Sequence, residues 1–355
     1  MSRPASLAVP RAVHATSTAP GRSVLRDLPV NLFAAVMGLS GLAMAWRQAV
    51  GRFGAPPVVG EAIGGLAVVV FVALLAGYAW KFLRHRDVVA SEFAHPVAGN
   101  FFGTPVIAAL LVSALVEPYS AAAGVVVWAI GTIATFALGY VVVARLLRGH
   151  GDPSHAVPAW LIPGVATLDI AVTGAHLPFA AAAEVNSAAL AVGGVMALVL
   201  FTLAFQRMVQ REPLPATMTP SMMVMVAPFP VGFLAWTSAT GEVDRLASLL
   251  FWFGLFLFLV IAPKVFRRDV PFTPAWWAIS FPIAALANAA LRYAGAHPDP
   301  IAQAIAAGGL AFVTGVLAVL ALLTLQRVLH HARRATNMGP RPGHRGSIRK
   351  ERACS

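Results

Sequence analysis

Apolar residues along the chain gather into ten runs of roughly twenty residues, at 28–48, 58–83, 98–117, 120–147, 157–176, 181–209, 219–240, 244–266, 274–295 and 299–328. Runs of this length match a hydrocarbon core about 30 Å thick. The short segments between them are rich in Pro, Gly, Asp and Arg, residues that stop helices and prefer water. The pattern predicts an all-α polytopic membrane protein with ten transmembrane helices. Two flanks fall outside it. Residues 1–26 carry Arg3, Arg11, Arg22 and Arg26 among Pro, Ser and Thr, with no apolar run long enough for a signal-peptide core. Residues 329–355 are again polar and basic. Neither composition buries enough apolar surface to fold alone, so we expect a disordered arm and a disordered tail around a membrane domain at 27–328.

Composition sharpens this reading. Of 355 residues, 58% are hydrophobic and only 11% charged, with a mean hydropathy of +0.76; a soluble domain carries about 25% charged residues. The single cysteine, Cys354, excludes a disulfide framework, an iron–sulfur cluster and a thiolate zinc site. The net charge of +12 comes from 26 Lys and Arg against 14 Asp and Glu. Ten crossings put both flanks and the segments after runs two, four, six and eight on one side. That side holds every Lys and Arg except Arg47, Arg52, Arg245 and Arg292. The positive-inside rule then places both termini in the cytoplasm of a cell whose plasma, or inner, membrane holds the bundle. Topology explains the basicity, and nucleic acid is not needed as a partner.

A second pattern separates odd runs from even ones. Pro105, Pro163, Pro228, Pro230 and Pro282 lie within runs three, five, seven and nine, and Gly38 and Gly41 sit in the middle of run one. Even runs lack internal proline apart from Pro263 near the end of run eight. Proline inside a helix removes a backbone hydrogen bond, and in lipid the freed carbonyl needs protein or water around it. The odd runs are therefore expected inside, lining a cavity. The competing reading is that membrane helices are simply richer in Gly and Pro than soluble ones.

Candidate chemistry is sparse. There is no HExxH, no G-x-S-x-G and no phosphate-binding G-x-x-x-x-G-K-[ST], so no enzymatic activity, metal or cofactor is expected. His330 and His331 are adjacent and point in different directions on a helix. Asp169 is the acidic residue nearest the middle of a run. Intramembrane carboxylates face the interior, a partner or water, so Asp169 reads either as a proton-coupling or ion-path residue or as a hydrogen-bond acceptor that holds the bundle together. Glu61 and Glu184 lie near run ends, where snorkelling to water accounts for them. Phe281 stands directly before Pro282. A bend there would place its ring where an apolar constriction can exclude water, although any one of 21 phenylalanines is far more often packing or lipid contact.

The segments PVNLFAAVMGLSGLAMAW from Pro29, SEFAHPVAGNFFGTP from Ser91, TPSMMVMVAPFPVGFLAW from Thr219 and PKVFRRDVPFTPAWWAISFPIAALANAALRYAG from Pro263 resemble the slow-type anion channels of plants and the bacterial tellurite-resistance and dicarboxylate transporters. The resemblance covers residues 28–328, with HPV-x-x-NFF and AWW-x-x-SFP its most specific stretches. It implies five helical hairpins around a central pore, odd helices inside, and a homotrimer with one pore per subunit. It also implies that Phe281, between Ser280 and Pro282, gates the pore. Kinks at Pro105, Pro163, Pro228 and Pro282 and the Asn100–Phe101 stretch carry over as pore features. The cargo implied is small anions or C4-dicarboxylates. Since no run shows a buried Lys or Arg to clamp a carboxylate, selectivity is expected from pore width and a weakly positive potential. The chain departs from the family in run five, where Gly164 is followed by Val165, Ala166, Thr167, Leu168 and Asp169 instead of a small polar residue such as Asn. A fixed anion in the pore repels anions, so Asp169 points away, is protonated, or serves a cargo that is not a passive anion. The alternatives are a proton-coupled dicarboxylate carrier using Asp169, and a tellurite-resistance exporter or factor acting with a partner enzyme such as a methyltransferase.

Overall fold

The turns on one face of the molecule show how the chain is cut into helices. Ser120, Asp244 and Asp299 each cap the helix that follows: Ser120 Oγ accepts from Ala123 N at 3.3 Å, Asp244 Oδ1 from Ala247 N at 2.9 Å, and Asp299 Oδ1 from Ile301 N and Ala302 N at 3.0 Å. Such side chains satisfy amide groups that a helix start leaves without partners. The Ala247 amide also holds the Asp244 carboxyl below its usual range. Gly54 and Gly241, at φ of 66° and 77°, end the preceding helices in the left-handed conformation that glycine adopts freely.

The structure is a computed structural model that describes residues 25–149 and 152–337. Eleven helices are found there: α1 (Phe33–Phe53), α2 (Pro57–Arg84), α3 (Arg86–Ala94), α4 (Gly103–Val116), α5 (Ala121–Leu147), α6 (Ile162–Gly174), α7 (Ala180–Gln210), α8 (Pro228–Thr240), α9 (Arg245–Val265), α10 (Ser280–Ala296) and α11 (Pro300–Asn337). No strand occurs among the described residues. Among the described residues, nine spans are long and apolar enough to cross a membrane. The tenth, Pro158–Gly174, is shorter; four residues of 3₁₀ helix and thirteen of α-helix reach about 28 Å, barely the thickness of the core. The short helix α3 fills what reads in the sequence as a plain connection. It is tied to α2 through Glu92, whose Oε2 accepts from Tyr78 Oη at 2.9 Å and Lys81 Nζ at 2.8 Å. The last helix runs past residue 328 to Asn337, because nothing between Gly315 and Gly339 is Pro or Gly and the backbone meets no stop signal. The arm at 1–24 and the tail beyond 337 lie outside the described residues.

Consecutive helices pair as hairpins, α1 with α2, α4 with α5, α6 with α7, α8 with α9 and α10 with α11. The first members also touch one another in a closed ring, α1 to α4 to α6 to α8 to α10 and back to α1. The ring is inside. In four of its spans 61 to 78% of the apolar core is buried, against 22 to 39% in the five partners, and in α6 every residue but Val172 is buried.

Each inner span begins with a 3₁₀ segment, Val30–Leu32, Ala98–Phe102, Pro158–Leu161, Ala216–Val226 or Pro274–Ile279, before the α-helix starts. The prolines expected to interrupt these helices sit instead in their first turn: Pro105 is the third residue of α4, Pro163 the second of α6, Pro228 and Pro230 the first and third of α8, and Pro282 the third of α10. Proline is tolerated there because first-turn amides have no intrahelical acceptor to lose. Neighbouring hydroxyls take up carbonyls at these junctions. Thr104 Oγ1 donates to Phe101 O and Val30 O (2.8 and 3.0 Å), Thr167 to Pro163 O (3.0 Å), Ser221 to Met218 O (2.7 Å), and Ser280 to Trp277 O and Ala34 O (2.7 and 3.0 Å).

Ring closure needs small residues where backbones meet. Gly38 and Gly41 of α1 face Ser280 and Ala284 of α10, and a Cβ on Gly41 would lie 2.8 Å from Ala284 Cβ. Gly164 likewise meets the backbone of α7 at Ala197. Gly38 and Gly164 are therefore helix-contact residues, neither kinks nor pore walls. Gly38→Val should lower the thermal stability of the purified protein by several degrees, reflecting an overpacking cost of about 1–3 kcal/mol. Gly51→Ala, in the same helix with open space around it, should leave the melting temperature unchanged or raise it. Differential scanning fluorimetry in detergent compares the two.

Candidate functional site

The ring encloses an axis, and each inner helix turns one stripe toward it. The stripes have helical spacing: Ala34, Met37, Gly41, Met44 and Gln48 on α1; Thr104, Ile107, Leu111 and Ala114 on α4; Val165, Asp169, Val172 and His176 on α6 and just after it; Ala227, Val231, Leu234 and Ser238 at the start and along α8; Phe281, Ala285, Asn288 and Arg292 on α10. A step of three or four residues keeps one face of a helix directed the same way.

These stripes line two chambers in series. The first has a volume of about 30 Å³ and lies near the face where the inner spans begin and the partner helices end with Lys81, Arg84, Arg145, Arg207 and Lys264, here termed the basic face. Its walls are apolar apart from Thr104 and include Phe101. The second, about 270 Å³, lies toward the opposite face and carries Arg47, Gln48, Asp169, His176, Ser238, Asn288 and Arg292. Among the described residues Phe281 alone lines both chambers, and its ring is 6% exposed. Phe281 thus stands between them, carried by the first turn of α10 and fixed there by the Ser280 hydroxyl bridge to α1.

The far chamber departs from the uniform, weakly positive pore expected from the sequence. Lys81 is 2% exposed, held by Glu92 and by Leu28 O at 2.8 Å, although it lies away from the axis. Arg292 lines the far chamber itself, with Nη1 donating to Ser238 Oγ at 2.8 Å, Thr237 Oγ1 at 2.9 Å and Leu234 O at 3.4 Å. Both are cations on spans that sequence reading scored only as topological markers near run ends. The overlooked signal was the stripe Phe281, Ala285, Asn288, Arg292, which puts the arginine on the same face as the phenylalanine. Arg47 also reaches this chamber, but Glu61 takes its guanidinium in a two-point bond at 3.0 and 2.8 Å, and Glu61 accepts a further bond from Tyr119. That bond to Glu61 raises the pKa of the Tyr119 phenol. Asn288 is fully used, donating to Gly41 O and Ala284 O at 2.8 Å and accepting from Gln48 at 2.6 Å, which ties α10 to α1.

Asp169 does not point away from the axis. It lines the far chamber, is 1% exposed, and its Oδ2 has no hydrogen-bond donor among the described residues. Asn100 lies off the axis in a side cleft with Arg145 and Trp160, its amide donating to Pro96 O at 2.9 Å. Of the proline positions, only Pro282 lines either chamber.

Residues 27–325 match the family described as voltage-dependent anion channel. The S-type anion channel SLAH4 of Arabidopsis thaliana is 28% identical over 297 residues, 80% of this chain and 79% of that one. The guard cell S-type anion channel SLAC1 of the same plant is 25% identical over 314 residues, 85% of this chain and 56% of the relative. The tellurite resistance protein TehA homolog of Haemophilus influenzae is 25% identical over 316 residues, covering 85% and 91%.

The two-chamber arrangement predicts a pattern of thiol accessibility. With Cys354→Ser as background, Ala278→Cys in the first chamber and Ala285→Cys in the second should react with a membrane-impermeant thiol reagent from opposite faces of oriented vesicles. Adding Phe281→Ala should let each react from both faces. Labelling of both positions from one face in the Phe281 protein would remove the partition.

Proposed function

The chain belongs to the voltage-dependent anion channel family, and from that premise we propose that it passes small anions along the central axis through a pore closed by the Phe281 ring. It is a multi-pass membrane protein of an anion-transporting family. The observation that carries the gate is the place of Phe281 as the residue common to both chambers, in an apolar neck where a ring excludes water and ions. The wall on the first-chamber side is apolar, so an anion there gains nothing from dipoles until the ring moves. The basic face is cytoplasmic in this reading, supported by the concentration of Lys and Arg at the ends of the outer helices. A homotrimer with one pore per subunit is carried over from the resemblance noted in the sequence.

One observation favours a second reading, in which the protein is a proton-coupled carrier of C4-dicarboxylates. Asp169 faces the far chamber without a donor, the position that a coupling carboxylate needs. Malate uptake into proteoliposomes that ignores an imposed pH gradient and survives Asp169→Asn would remove that reading. The likeness to a tellurite resistance protein is a reason to try oxyanions as cargo.

Phe281→Ala should raise anion conductance in planar bilayers by roughly tenfold or more, the change that lowering a barrier by about 1.4 kcal/mol produces. Unchanged current at equal protein incorporation would sink the gate assignment.

A further inference from the structure

The far chamber contains two charges that the protein leaves open. Four ionisable side chains line it: Arg47, Asp169, His176 and Arg292. Arg47 is neutralised by Glu61, and His176 is exposed at the end of α6. Asp169 and Arg292 remain. The ion pairs among the described residues are Arg47–Glu61, Lys81–Glu92 and Arg267–Asp269, so Asp169 and Arg292 pair neither with each other nor with anything else.

Their hydrogen bonding is also incomplete, in complementary ways. A guanidinium has five N–H donors in a fixed fork. Arg292 spends only Nη1, on neutral oxygens of α8, which anchors the group without cancelling its charge. Asp169 lacks the opposite thing, a donor to Oδ2, while 99% withdrawn from solvent. A buried acceptor without a donor carries a desolvation cost that a bound ligand can relieve. One cavity therefore holds both a guanidinium with spare donors and a carboxyl group that lacks a donor.

Resting on the reading of this axis as an anion path, we propose that the far chamber is a binding subsite for monovalent oxyanions that retain one O–H group. The deprotonated oxygens of such an ion accept from Arg292, and its hydroxyl donates to the Asp169 carboxylate. A halide, or an oxyanion with no proton, satisfies Arg292 but turns only lone pairs toward Asp169 and is repelled. The class includes hydrogen carbonate and singly protonated dicarboxylates. A cargo of this kind brings its proton with it, so net proton movement accompanies transport with no titration of the protein.

Hydrogen carbonate and nitrate make the test, because both are flat monoanions of similar size and only the first has an O–H. Reversal potentials at one fixed pH, measured on the full chain with Phe281→Ala to open the neck, should show hydrogen carbonate preferred over nitrate. Asp169→Asn, which supplies an N–H to nitrate, should shrink that permeability ratio by roughly tenfold and raise nitrate permeability. Arg292→Gln should lower both permeabilities and largely keep the ratio. A ratio unchanged in Asp169→Asn overturns the subsite while leaving the anion path intact.

Binding supplies a second readout that does not need current. Hydrogen carbonate should raise the melting temperature of the purified protein more than nitrate at equal concentration, and the difference should vanish in Asp169→Asn. Equal stabilisation by the two ions in the unsubstituted chain would also overturn the subsite. Absent current through Phe281→Ala would instead count against the conducting pore, and the melting measurement would still decide the subsite.

Discussion

Backbone amides and carbonyls have no water to turn to in a hydrocarbon core, and this constraint governs the whole arrangement. A helix that keeps every bond inside itself can face lipid. A helix that changes from 3₁₀ to α geometry partway through cannot, unless protein surrounds it. The five broken spans are accordingly the five that close the inner ring, and the five continuous helices wrap them. The hydroxyls of Thr104, Thr167, Ser221 and Ser280 complete the same logic, since they receive their carbonyl partners at or near the junctions. Two of them, Thr104 and Ser280, reach across to α1 or the segment before it as well, so the repair of one backbone also fixes a neighbour.

The breaks are what make an axis possible. A tight ring of uninterrupted helices would press side chains together along its full length. Here the chamber beyond the junctions is the larger of the two, and the first turn of α10 presents Phe281 between them. The small contacts of Gly38 and Gly41 against Ser280 and Ala284 hold α1 close to that junction. The position of the ring is therefore set by backbone contacts, and replacing the ring should leave those contacts in place.

Much of this was legible in the sequence because it follows from composition at fixed period. Ten apolar runs, alternating charge and a proline pattern concentrated in the odd runs give the number of crossings and the inner and outer sets. The location of the break was legible only in part. Pro163 or Pro282 marks a disturbed helix, but whether a proline lies in the interior or in the first turn depends on where the preceding 3₁₀ segment ends, and no residue type dictates that. Gly38 and Gly164 read as pore-lining or kink positions and turned out to be close approaches, a distinction that depends on the opposing helix. Asp169 was conspicuous by its charge. Arg292 was not, because an arginine near a span end is ordinary, and only its register with Phe281 and Asn288 shows that it faces the axis.

That register changes how the acidic residue is understood. Taken alone, a carboxylate on the axis is an obstacle to anions, and the natural inference is that it must be turned aside or neutralised. The structure turns it inward and leaves it without a donor, but it also sets an unpaired guanidinium in the same chamber. In water, two such charges would matter little to each other. Inside a bundle with a low effective dielectric, each alters the field that a small ion meets over the whole chamber. Under the proposed subsite the two groups discriminate by the shape of a ligand's own charge and by whether it carries a proton. An apolar neck at Phe281 cannot make that distinction. Opening and selection would therefore reside in different side chains, at different depths of one axis.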